Sequence, residues 1–398
     1  MAMIKREFST GKRAYPMPMS EIERRWKAVR AEMKNRGIDA LLMQSETLDS
    51  GGYIRWFTDI PTHSATTILF PLDGEIVYFS SASRSIRSIG EEFSNTVGSA
   101  QFAPYFRTVF CTMDFDAELV TACVRERGFR CLGLVNIGRM NASFYKYVTE
   151  ALPDIEMVDA TMMVDRIKIV KSELELEYIR ETARLHDKVM YAAQALIYPG
   201  RLVGDVRNDM YHLACNLGAE GQMVQNLGAA PMGTPCFFGP FTEQNRRIDY
   251  GDQVLVLLEA NGPGGYYNEL GRMFCLGDPC PELVRAWEAA KAAQIAAGAA
   301  SFAGADPKDI FAASDRELVA RGYGPENRIT GHGQGYDYME PPALLDEETL
   351  KVDKNVVLAI HTSAVDEYAN AFACDNYLVT EHGGERLQKF PLELIQLY

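Results

Sequence analysis

Two pairs of apolar strand segments, each joined by a short loop, constrain the fold of this chain more than any other feature of its sequence. The first pair, 253–260 and 265–276, is joined around a Gly-Pro-Gly-Gly turn, and the second pair covers 356–364 and 371–380. Runs rich in Val, Ile, Leu and aromatic residues, bounded by turn residues, are typical of strands. Connections this short join antiparallel strands. The sequence therefore predicts an antiparallel sheet in its second half.

Helical patterns separate these strand pairs. Ser172 and Glu175 match a capping box, in which each side chain bonds the backbone N–H of the other residue. Apolar residues then recur at helical spacing as far as Pro199. The segments predicted to be helical are 172–197, 202–217, 281–298 and 307–321. Grouped antiparallel strands with helices indicate an α+β domain rather than a doubly wound sheet.

The first part of the chain has the pattern of a small α/β domain. Ser20 and Glu23 again match a capping box ahead of apolar residues at helical spacing. The other elements predicted there are a strand at 38–43, a hairpin around Asp73-Gly74, a strand at 130–137 and a helix at 141–151. Since 398 residues exceed the usual size of a single core, we expect two domains, residues 1–165 and 166–398.

Charge and composition narrow the kinds of partner. The chain has 40 Lys and Arg against 54 Asp and Glu, a net charge of −14, so nucleic acid and anionic membranes would be repelled. The first residues lack the apolar stretch of a signal peptide, and no apolar run reaches the length of a spanning helix. The eight cysteines include no Cys-x-x-Cys pair, which is typical of a reducing compartment. We expect a cytoplasmic protein with a small-molecule substrate.

Titratable residues cluster in the predicted domain 166–398. Glu259 and Glu269 stand ten positions apart on the two strands of the first hairpin. His332 lies between two glycines, which let a backbone bring an imidazole close to a ligand. His361 stands in an apolar strand, where a histidine is more often a hydrogen-bonded core residue than a catalyst. The remaining candidates in this domain are Glu340, Cys374 and Asp375.

Six segments occur in an order and spacing found in a known superfamily: RIKIVKSELELEYIRETARLHDKVM, PGRL, DYGDQVLVLLE, GYYNELGRMF, GHGQG and CDNYLVTEHGGERL. Over about residues 165–390 the chain resembles the pita-bread superfamily of methionine aminopeptidase, prolidase, aminopeptidase P and creatinase. Its first region resembles the N-terminal domain of creatinase and aminopeptidase P. The resemblance therefore implies a creatinase-like N-terminal domain followed by a pita-bread domain.

The resemblance also implies a metal site, and there the sequence departs from the superfamily. Its peptidases bind two metal ions through two aspartates of the hairpin, the histidine of Gly-His-Gly and two later glutamates. In this chain the five positions carry Leu258 or Glu259, Glu269, His332, His361 and Cys374. Because a pair of hard divalent ions needs a bridging carboxylate, this set predicts no two-metal site. One iron or zinc ion on the histidines, Cys374 and the glutamates stays open as an alternative.

By resemblance, these departures place the chain with the metal-independent branch of creatinase and ectoine hydrolase. That branch implies hydrolysis of a non-peptide C–N bond in a small guanidino, amidine or betaine-like molecule, with no cofactor and no peptidase activity. We predict that His332 acts as acid and base, with His361 as the second choice. Glu259 and Glu269 would bind a cationic group or supply a nucleophile. The alternatives are a metal-dependent hydrolase or lyase resembling dimethylsulfoniopropionate lyase, and a binding protein without activity.

The other candidates would bind the substrate. Creatinase relatives are homodimers in which the N-terminal domain of one chain covers the site of the other, which implies a homodimer here. Arg55, Trp56 and His63 would then close over the partner's substrate through carboxylate or cation–π contacts. The residues predicted to line the cavity are Tyr266, Tyr267, Tyr336, Tyr338, Glu340, Cys374 and Asp375. Cys374 is also a second candidate nucleophile, paired with a histidine.

Overall fold

The computed structural model describes residues 15–45, 52–61, 66–81, 96–103, 114–220, 223–239 and 245–398. The chain divides into two compact units, residues 1–168 and 169–398. Each unit combines helices with its own sheet, so the predicted α+β class is confirmed. Within the described ranges, no helix is long and apolar enough to cross a membrane. The seven cysteines in these ranges are all free thiols.

The first unit is built on a mixed six-stranded sheet. Its strands are β1 (Ala40–Ser45), β2 (Thr66–Pro71), β3 (Val77–Ser81), β4 (Ser99–Ala103), β5 (Cys131–Val135) and β6 (Glu156–Asp159), in the spatial order β4-β3-β2-β1-β5-β6. β1, β2 and β3 pair antiparallel, whereas β5 and β6 continue the sheet in parallel from β1. The β2–β3 pair confirms the hairpin predicted around Asp73.

The described helices of this unit are α1 (Met19–Arg36), α2 (Gly52–Thr58), α3 (Asp114–Arg127), α4 (Ala142–Ala151) and α5 (Thr161–Lys168). The predicted capping box of Ser20 and Glu23 is wrong. α1 begins at Met19, directly after Pro18, whose backbone is extended and whose side chain makes no capping hydrogen bond. Because the proline sets the start of the helix, Ser20 lies inside the first turn and cannot cap it.

The helices of the second unit are α6 (Glu173–Leu196), α7 (Val203–Leu217), α8 (Pro281–Ala300) and α9 (Pro307–Ala320). All four predicted helices are confirmed. The capping box before α6 is also confirmed, because Ser172 Oγ accepts from the Glu175 N–H at 3.3 Å and Glu175 Oε2 accepts from the Ser172 N–H at 2.8 Å. This box fixes where the longest of the described helices begins.

A nine-stranded sheet forms the centre of the second unit. Its strands are β7 (Met223–Pro231), β8 (Asp252–Asn261), β9 (Tyr267–Leu276), β10 (Gly331–Gly333), β11 (Glu340–Leu344), β12 (Val357–Val365), β13 (Asn370–Val379), β14 (Gly384–Arg386) and β15 (Ile395–Leu397). The order is β11-β10-β12-β13-β9-β8-β7, with β14 beside β13 and β15 beside β9. The two predicted hairpins are therefore confirmed as the antiparallel pairs β8–β9 and β12–β13.

Residues of β8 alternate between two apolar cores. Val256 and Leu258 pack with residues of α6 and α7. Leu255 and Leu257 pack on the other face, with Trp287 of α8. Because successive side chains of a strand point to opposite faces, this part of the sheet is buried on both sides between helices. That double burial explains the nearly continuous apolar run of β8.

The segment 387–397 bonds to both a helix and the first hairpin. β15 runs parallel to β9. The backbone N–H of Phe390 donates to Asp187 of α6 at 2.9 Å. Arg272 of β9 donates to the carbonyl oxygen of Pro391 at 2.7 Å. This segment therefore links β9 to α6 and stabilises the position of β9.

Candidate active site

The β8–β9 hairpin brings two acidic side chains face to face. Glu259 and Glu269 are directly opposed in the antiparallel register and are 7% and 4% exposed. Leu258 is paired with Leu270, and both belong to the core under α6 and α7. Because neighbouring side chains of a strand point to opposite faces, Glu259 rather than Leu258 shares the face of Glu269.

His332 lies on β10 beside Glu269. Its Nε2 is 3.6 Å from Glu269 Oε2, and its Nδ1 is 2.9 Å from the carbonyl oxygen of Gly333. A carbonyl oxygen only accepts hydrogen bonds, so Nδ1 carries a proton and donates it. Nε2 is therefore the nitrogen that faces the carboxyl group, where it can take up or release a proton.

The glycines that flank His332 have a packing role. Strand β10 lies between β11 and β12. A Cβ added to Gly331 would lie 2.2 Å from the Ala359 carbonyl oxygen, and one added to Gly333 would lie 2.1 Å from that of Pro341. The sequence suggested that these glycines admit a ligand, whereas the structure shows that they admit the neighbouring strands.

His361 lies on β12 next to His332. Their ring centroids are 5.5 Å apart, and the His361 ring stacks on Phe372 at 6.2 Å. Burial lowers the pKa of His361 well below its ordinary value, and nearby His332 and Arg328 act in the same direction. Its Nδ1 has no hydrogen-bond partner among the described residues. At neutral pH this ring is therefore an uncharged imidazole.

Cys374 lies on β13 against the hairpin. It pairs with Gly271 of β9, and a Cβ at that glycine would lie 3.0 Å from Cys374 Cβ. Burial raises the pKa of the Cys374 thiol well above its usual value, and the charge of Glu269 raises it further. Cysteine attacks as a thiolate. Cys374 stays a protonated thiol, which argues against the alternative of a cysteine nucleophile.

The two glutamates hold protons more tightly than ordinary carboxyl groups. Burial raises the pKa of Glu259 well above its usual value, and the charge of Glu269 raises it further. Burial also raises the pKa of Glu269, against the opposing effects of His332 and Cys374. Two buried carboxyl groups that face each other do not both ionise readily. The pair therefore carries less than its full negative charge, and one member can donate a proton.

Glu259→Gln is expected to raise the free energy of unfolding at neutral pH. The folded protein binds the Glu259 proton more tightly than the unfolded chain, whose carboxyl group has a pKa near 4.5. The wild type therefore loses stability as the pH rises above that value, by about 1.4 kcal/mol for each unit of pKa change. Glutamine keeps the shape and cannot ionise. In urea unfolding, the free energy of unfolding of the variant should exceed that of the wild type by an amount that grows between about pH 5 and about pH 8.

Glu177→Gln is the matched control for this experiment, because Glu177 is exposed on α6. It should leave the pH dependence of stability as it is in the wild type. A Glu259→Gln protein whose advantage is the same at every pH would show that Glu259 is ionised normally in the folded state.

Two of the predicted tyrosines, Tyr266 and Tyr267, lie where the hairpin turn meets β9, and the other two, Tyr336 and Tyr338, follow β10. The Tyr266 hydroxyl donates to Glu175 Oε1 at 2.9 Å, and its ring stacks on Tyr336 with centroids 4.1 Å apart. The rings of Tyr267 and Tyr338 are 6.3 Å apart. Tyr266 therefore ties the hairpin to the capping box that begins α6.

Glu340 and Asp375 are engaged by cations of the chain itself. Glu340 Oε2 is 2.6 Å from Lys171 Nζ, and both side chains are 2% exposed. Asp375 Oδ1 is 2.8 Å from Arg272 Nη2, and both of these side chains are fully buried. Arg386 also approaches Asp375, at 3.3 Å. Each carboxylate is thus neutralised inside the protein rather than left to attract a substrate cation.

Arg55 and Trp56 belong to α2 of the first unit and are buried, 7% and 1% exposed. Trp56 packs edge-on against Phe57 at 5.1 Å, with the Arg25 guanidinium 5.2 Å from its ring. His63 lies outside the described residues. The closure of these residues over a partner's substrate, and the homodimer itself, stay predictions.

Sequence reasoning missed three buried amide side chains beside the glutamates, those of Gln334, Asn376 and Gln388. Asn376 Oδ1 accepts from the Glu269 N–H at 2.6 Å, and Gln334 Nε2 donates to Glu259 Oε1 at 3.3 Å. One signal was available in the sequence. Asn376 is a polar residue next to Asp375 within a largely apolar strand, and such residues need a buried hydrogen-bond partner.

The side chains of this site do not form a metal centre. In the part of the chain that the structure describes, no group of three or more His, Cys, Asp or Glu residues could hold a metal ion. His332 Nε2 and Glu269 Oε2 lie 3.6 Å apart, which brings two donors together rather than three. Metal ligands must be deprotonated and must converge on one point. The donor set does not fit a metal ion, and no chemical step is assigned to one.

Two family models match the sequence. The model of metallopeptidase family M24 matches residues 177–381, and the model of the creatinase/prolidase N-terminal domain matches residues 25–170. The latter match agrees with the resemblance seen in the first region.

Curated relatives at low identity cover much of the chain. The uncharacterized hydrolase/peptidase y4tL of Sinorhizobium fredii is 26% identical over 95% of this chain and 97% of its own length. The probable dipeptidase PepE of Mycobacterium tuberculosis is 25% identical over 66% of this chain and 73% of its own length. The Xaa-Pro dipeptidase of Pyrococcus horikoshii is 24% identical over 66% and 76%.

Solved structures show the same fold. Dipeptidase PepE from Mycobacterium ulcerans superposes with a TM-score of 0.80 at 21% identity, covering 96% of this chain and 99% of that one. The prolidase from Pyrococcus horikoshii superposes with a TM-score of 0.76 at 20% identity, covering 94% and 100%. Likeness at this identity shows that the fold is shared.

These relatives correct the function predicted from the sequence. The prediction of a hydrolase of non-peptide C–N bonds without peptidase activity is wrong, because two of these curated relatives are named probable dipeptidase and Xaa-Pro dipeptidase. The placement in the creatinase and ectoine hydrolase branch falls for the same reason. The predicted absence of a cofactor is contradicted by the match to a family of metallopeptidases. The prediction gave the changes at four of the five metal-ligand positions more weight than the likeness of the whole chain.

Proposed function

The chain belongs to metallopeptidase family M24, and from that membership we propose that it hydrolyses the peptide bond of short peptides, above all dipeptides. The residues that carry out this reaction are Glu259, Glu269 and His332. The names of the curated relatives support this substrate class. The observation that carries the assignment to these residues is the 3.6 Å approach of His332 Nε2 to Glu269 Oε2, with Glu259 opposite on the same hairpin.

Peptide hydrolysis needs a base that takes a proton from water as its oxygen attacks the carbonyl carbon. His332 suits this role, because the hydrogen bond from Nδ1 to Gly333 leaves Nε2 to accept a proton. The adjacent Glu269 carboxyl group stabilises the imidazolium that forms. This pair therefore activates water and keeps the resulting charge balanced.

The reaction also needs an acid that protonates the leaving nitrogen when the C–N bond breaks. Burial and the charge of Glu269 raise the pKa of Glu259, so that this carboxyl group can hold a proton to give. The proton that His332 takes up returns to Glu259 when the products leave, which restores the starting state. A buried carboxylic acid beside an ionised one is a known arrangement in which one of the two carboxyl groups keeps its proton and acts as the acid.

The burial of the site limits the size of the substrate. Glu259, Glu269, His332 and His361 are 7%, 4%, 5% and 7% exposed, respectively. A folded protein could not bring its backbone to side chains this deep. Short peptides fit this restriction.

A panel of dipeptides tests the proposal directly. The purified chain is expected to release free amino acids from dipeptides, including Xaa-Pro dipeptides, and to leave a folded protein substrate intact. Each peptide is incubated with and without an added divalent metal, because the family is one of metallopeptidases. A His332→Gln preparation, purified in the same way, controls for contaminating peptidases. Failure to release amino acids from any dipeptide, with or without metal, would contradict the proposed function.

A further inference from the structure

Three buried amide side chains connect the two glutamates through hydrogen bonds. We call Gln334, Asn376 and Gln388 the amide chain. All three are at most 1% exposed. Gln334 follows β10, Asn376 lies on β13, and Gln388 belongs to the segment 387–397. The amide chain therefore gathers residues that are far apart in the sequence behind a single pair of carboxyl groups.

The members of the amide chain are joined to one another and to the two glutamates by direct hydrogen bonds. Asn376 Oδ1 accepts from the Glu269 N–H at 2.6 Å and from Gln388 Nε2 at 2.9 Å. Asn376 Nδ2 donates to Gln334 Oε1 at 2.7 Å. Gln334 Nε2 then donates to Glu259 Oε1 at 3.3 Å. A continuous path of hydrogen bonds thus runs from the backbone of one glutamate to the carboxyl group of the other.

Backbone groups fix the direction of this path. The Glu269 N–H can only donate, so the oxygen of Asn376 must face it and the nitrogen of Asn376 must face Gln334. Gln334 consequently turns its oxygen to Asn376 and its nitrogen to Glu259. The carbonyl oxygen of Tyr338 accepts from the same Gln334 nitrogen at 3.0 Å, which supports this orientation.

Gln388 fixes the other end of the path. Its Oε1 accepts from the Asn376 backbone N–H at 2.8 Å, and its Nε2 donates to the Glu269 carbonyl oxygen at 3.2 Å. Turning the amide over would therefore break bonds at Asn376 and at Glu269 together.

We propose that Gln334, Asn376 and Gln388 are positioning residues that hold the two glutamates in one arrangement and always present a hydrogen-bond donor to Glu259. The effect of this amide chain on turnover rests on the proposed function. Burying three amides costs free energy that apolar residues would not cost, so packing alone does not account for them. A fully satisfied network in a low-dielectric interior specifies one arrangement and is costly to rewire. The amide chain therefore acts on the reaction through Glu259.

Asn376→Asp tests this role, because it replaces the nitrogen that faces Gln334 with an oxygen. The Gln334 amide must then turn over and present its oxygen to Glu259 and to Tyr338. We expect kcat for a dipeptide to fall by about tenfold or more, while KM changes less, because Glu259 is displaced rather than the substrate. Gln388→Met should also lower kcat. Among the described residues, Gln388 Nε2 bonds to Glu269 and Asn376 and not to Glu259, so this effect is expected to reach Glu259 through Asn376.

Asn370→Asp is the matched control. Asn370 is a buried asparagine on the same strand, six residues before Asn376, and its Nδ2 donates to the Cys236 carbonyl oxygen at 2.7 Å. It should lower the melting temperature and leave kcat unchanged. Equal losses of kcat in Asn370→Asp and Asn376→Asp would overturn the proposal, because the effect would then be one of general stability.

A second measurement needs no turnover and separates this proposal from the proposed function. The side-chain NH2 resonances of Gln334 are followed by NMR in the wild type, Gln388→Met and Asn370→Asp. We expect them to move in Gln388→Met and to stay in place in Asn370→Asp. Unmoved Gln334 resonances in Gln388→Met would overturn the amide chain as a connected unit. If the wild type cleaves no dipeptide but these resonances move, only the proposed function fails.

Discussion

Replacing His332 with glutamine should lower kcat for a dipeptide by about 100- to 10,000-fold, the usual contribution of a general base. Glutamine keeps a hydrogen-bonding side chain on β10 but cannot take a proton from water. Since Nε2 of His332 is the nitrogen that faces Glu269, the loss should appear mainly in kcat rather than in KM. Steady-state kinetics on the best dipeptide of the panel measures both.

His212→Gln is the control for this change, because His212 is exposed on α7. It should have wild-type kinetics. His361→Gln separates the two histidines of the site. If kcat fell by about 100-fold or more in His361→Gln but stayed at the wild-type value in His332→Gln, His361 would be the base and the assignment would be reversed.

Arg272→Met is expected to destabilise the second unit by about 3–5 kcal/mol, the usual cost of removing one partner of a buried ion pair. Asp375 would be left in a fully buried position without its nearest partner, with Arg386 3.3 Å away as its remaining cation. The carbonyl oxygens of Cys374 and Pro391 would also lose their donor. Urea unfolding can be read from Trp287 in a background where Trp26 and Trp56 are phenylalanine, so that only the second unit reports.

Arg285→Met serves as its control. The Arg285 side chain is 62% exposed and pairs with Glu282 at 3.3 Å on α8. Exposed pairs of this kind contribute at most about 1 kcal/mol. An Arg272→Met protein within that margin of the wild type would show that the Arg272–Asp375 pair is not a major source of stability.

The fold followed from local signals wherever those signals were strong. The capping box at Ser172 and the two hairpins were predicted correctly, because each rests on residues close in sequence. The box at Ser20 failed because a stronger local constraint, Pro18, stands two residues before it. Local sequence signals therefore predict an element correctly unless two of them indicate different starts for the same helix.

The candidate site was predictable only in part. Glu259 and Glu269 were singled out because a hairpin fixes which residues of its two strands are opposed. The partners of Glu340 and Asp375 lie 169 and 103 residues away in sequence, so no local pattern reveals that these carboxylates are already paired. The amide chain escaped notice for the same reason, since its three residues meet only in the folded sheet.

The bonding of segment 387–397 to β9 and α6 has a consequence for how the protein is made. During translation the hairpin with Glu259 and Glu269 emerges from the ribosome well before this segment. Until residues 387–397 follow, Arg272 lacks the Pro391 oxygen, and the Glu269 carbonyl oxygen lacks the Gln388 donor. The nascent chain can therefore form its hairpins early, but it cannot complete the surroundings of its acids until the segment that braces them has been synthesised.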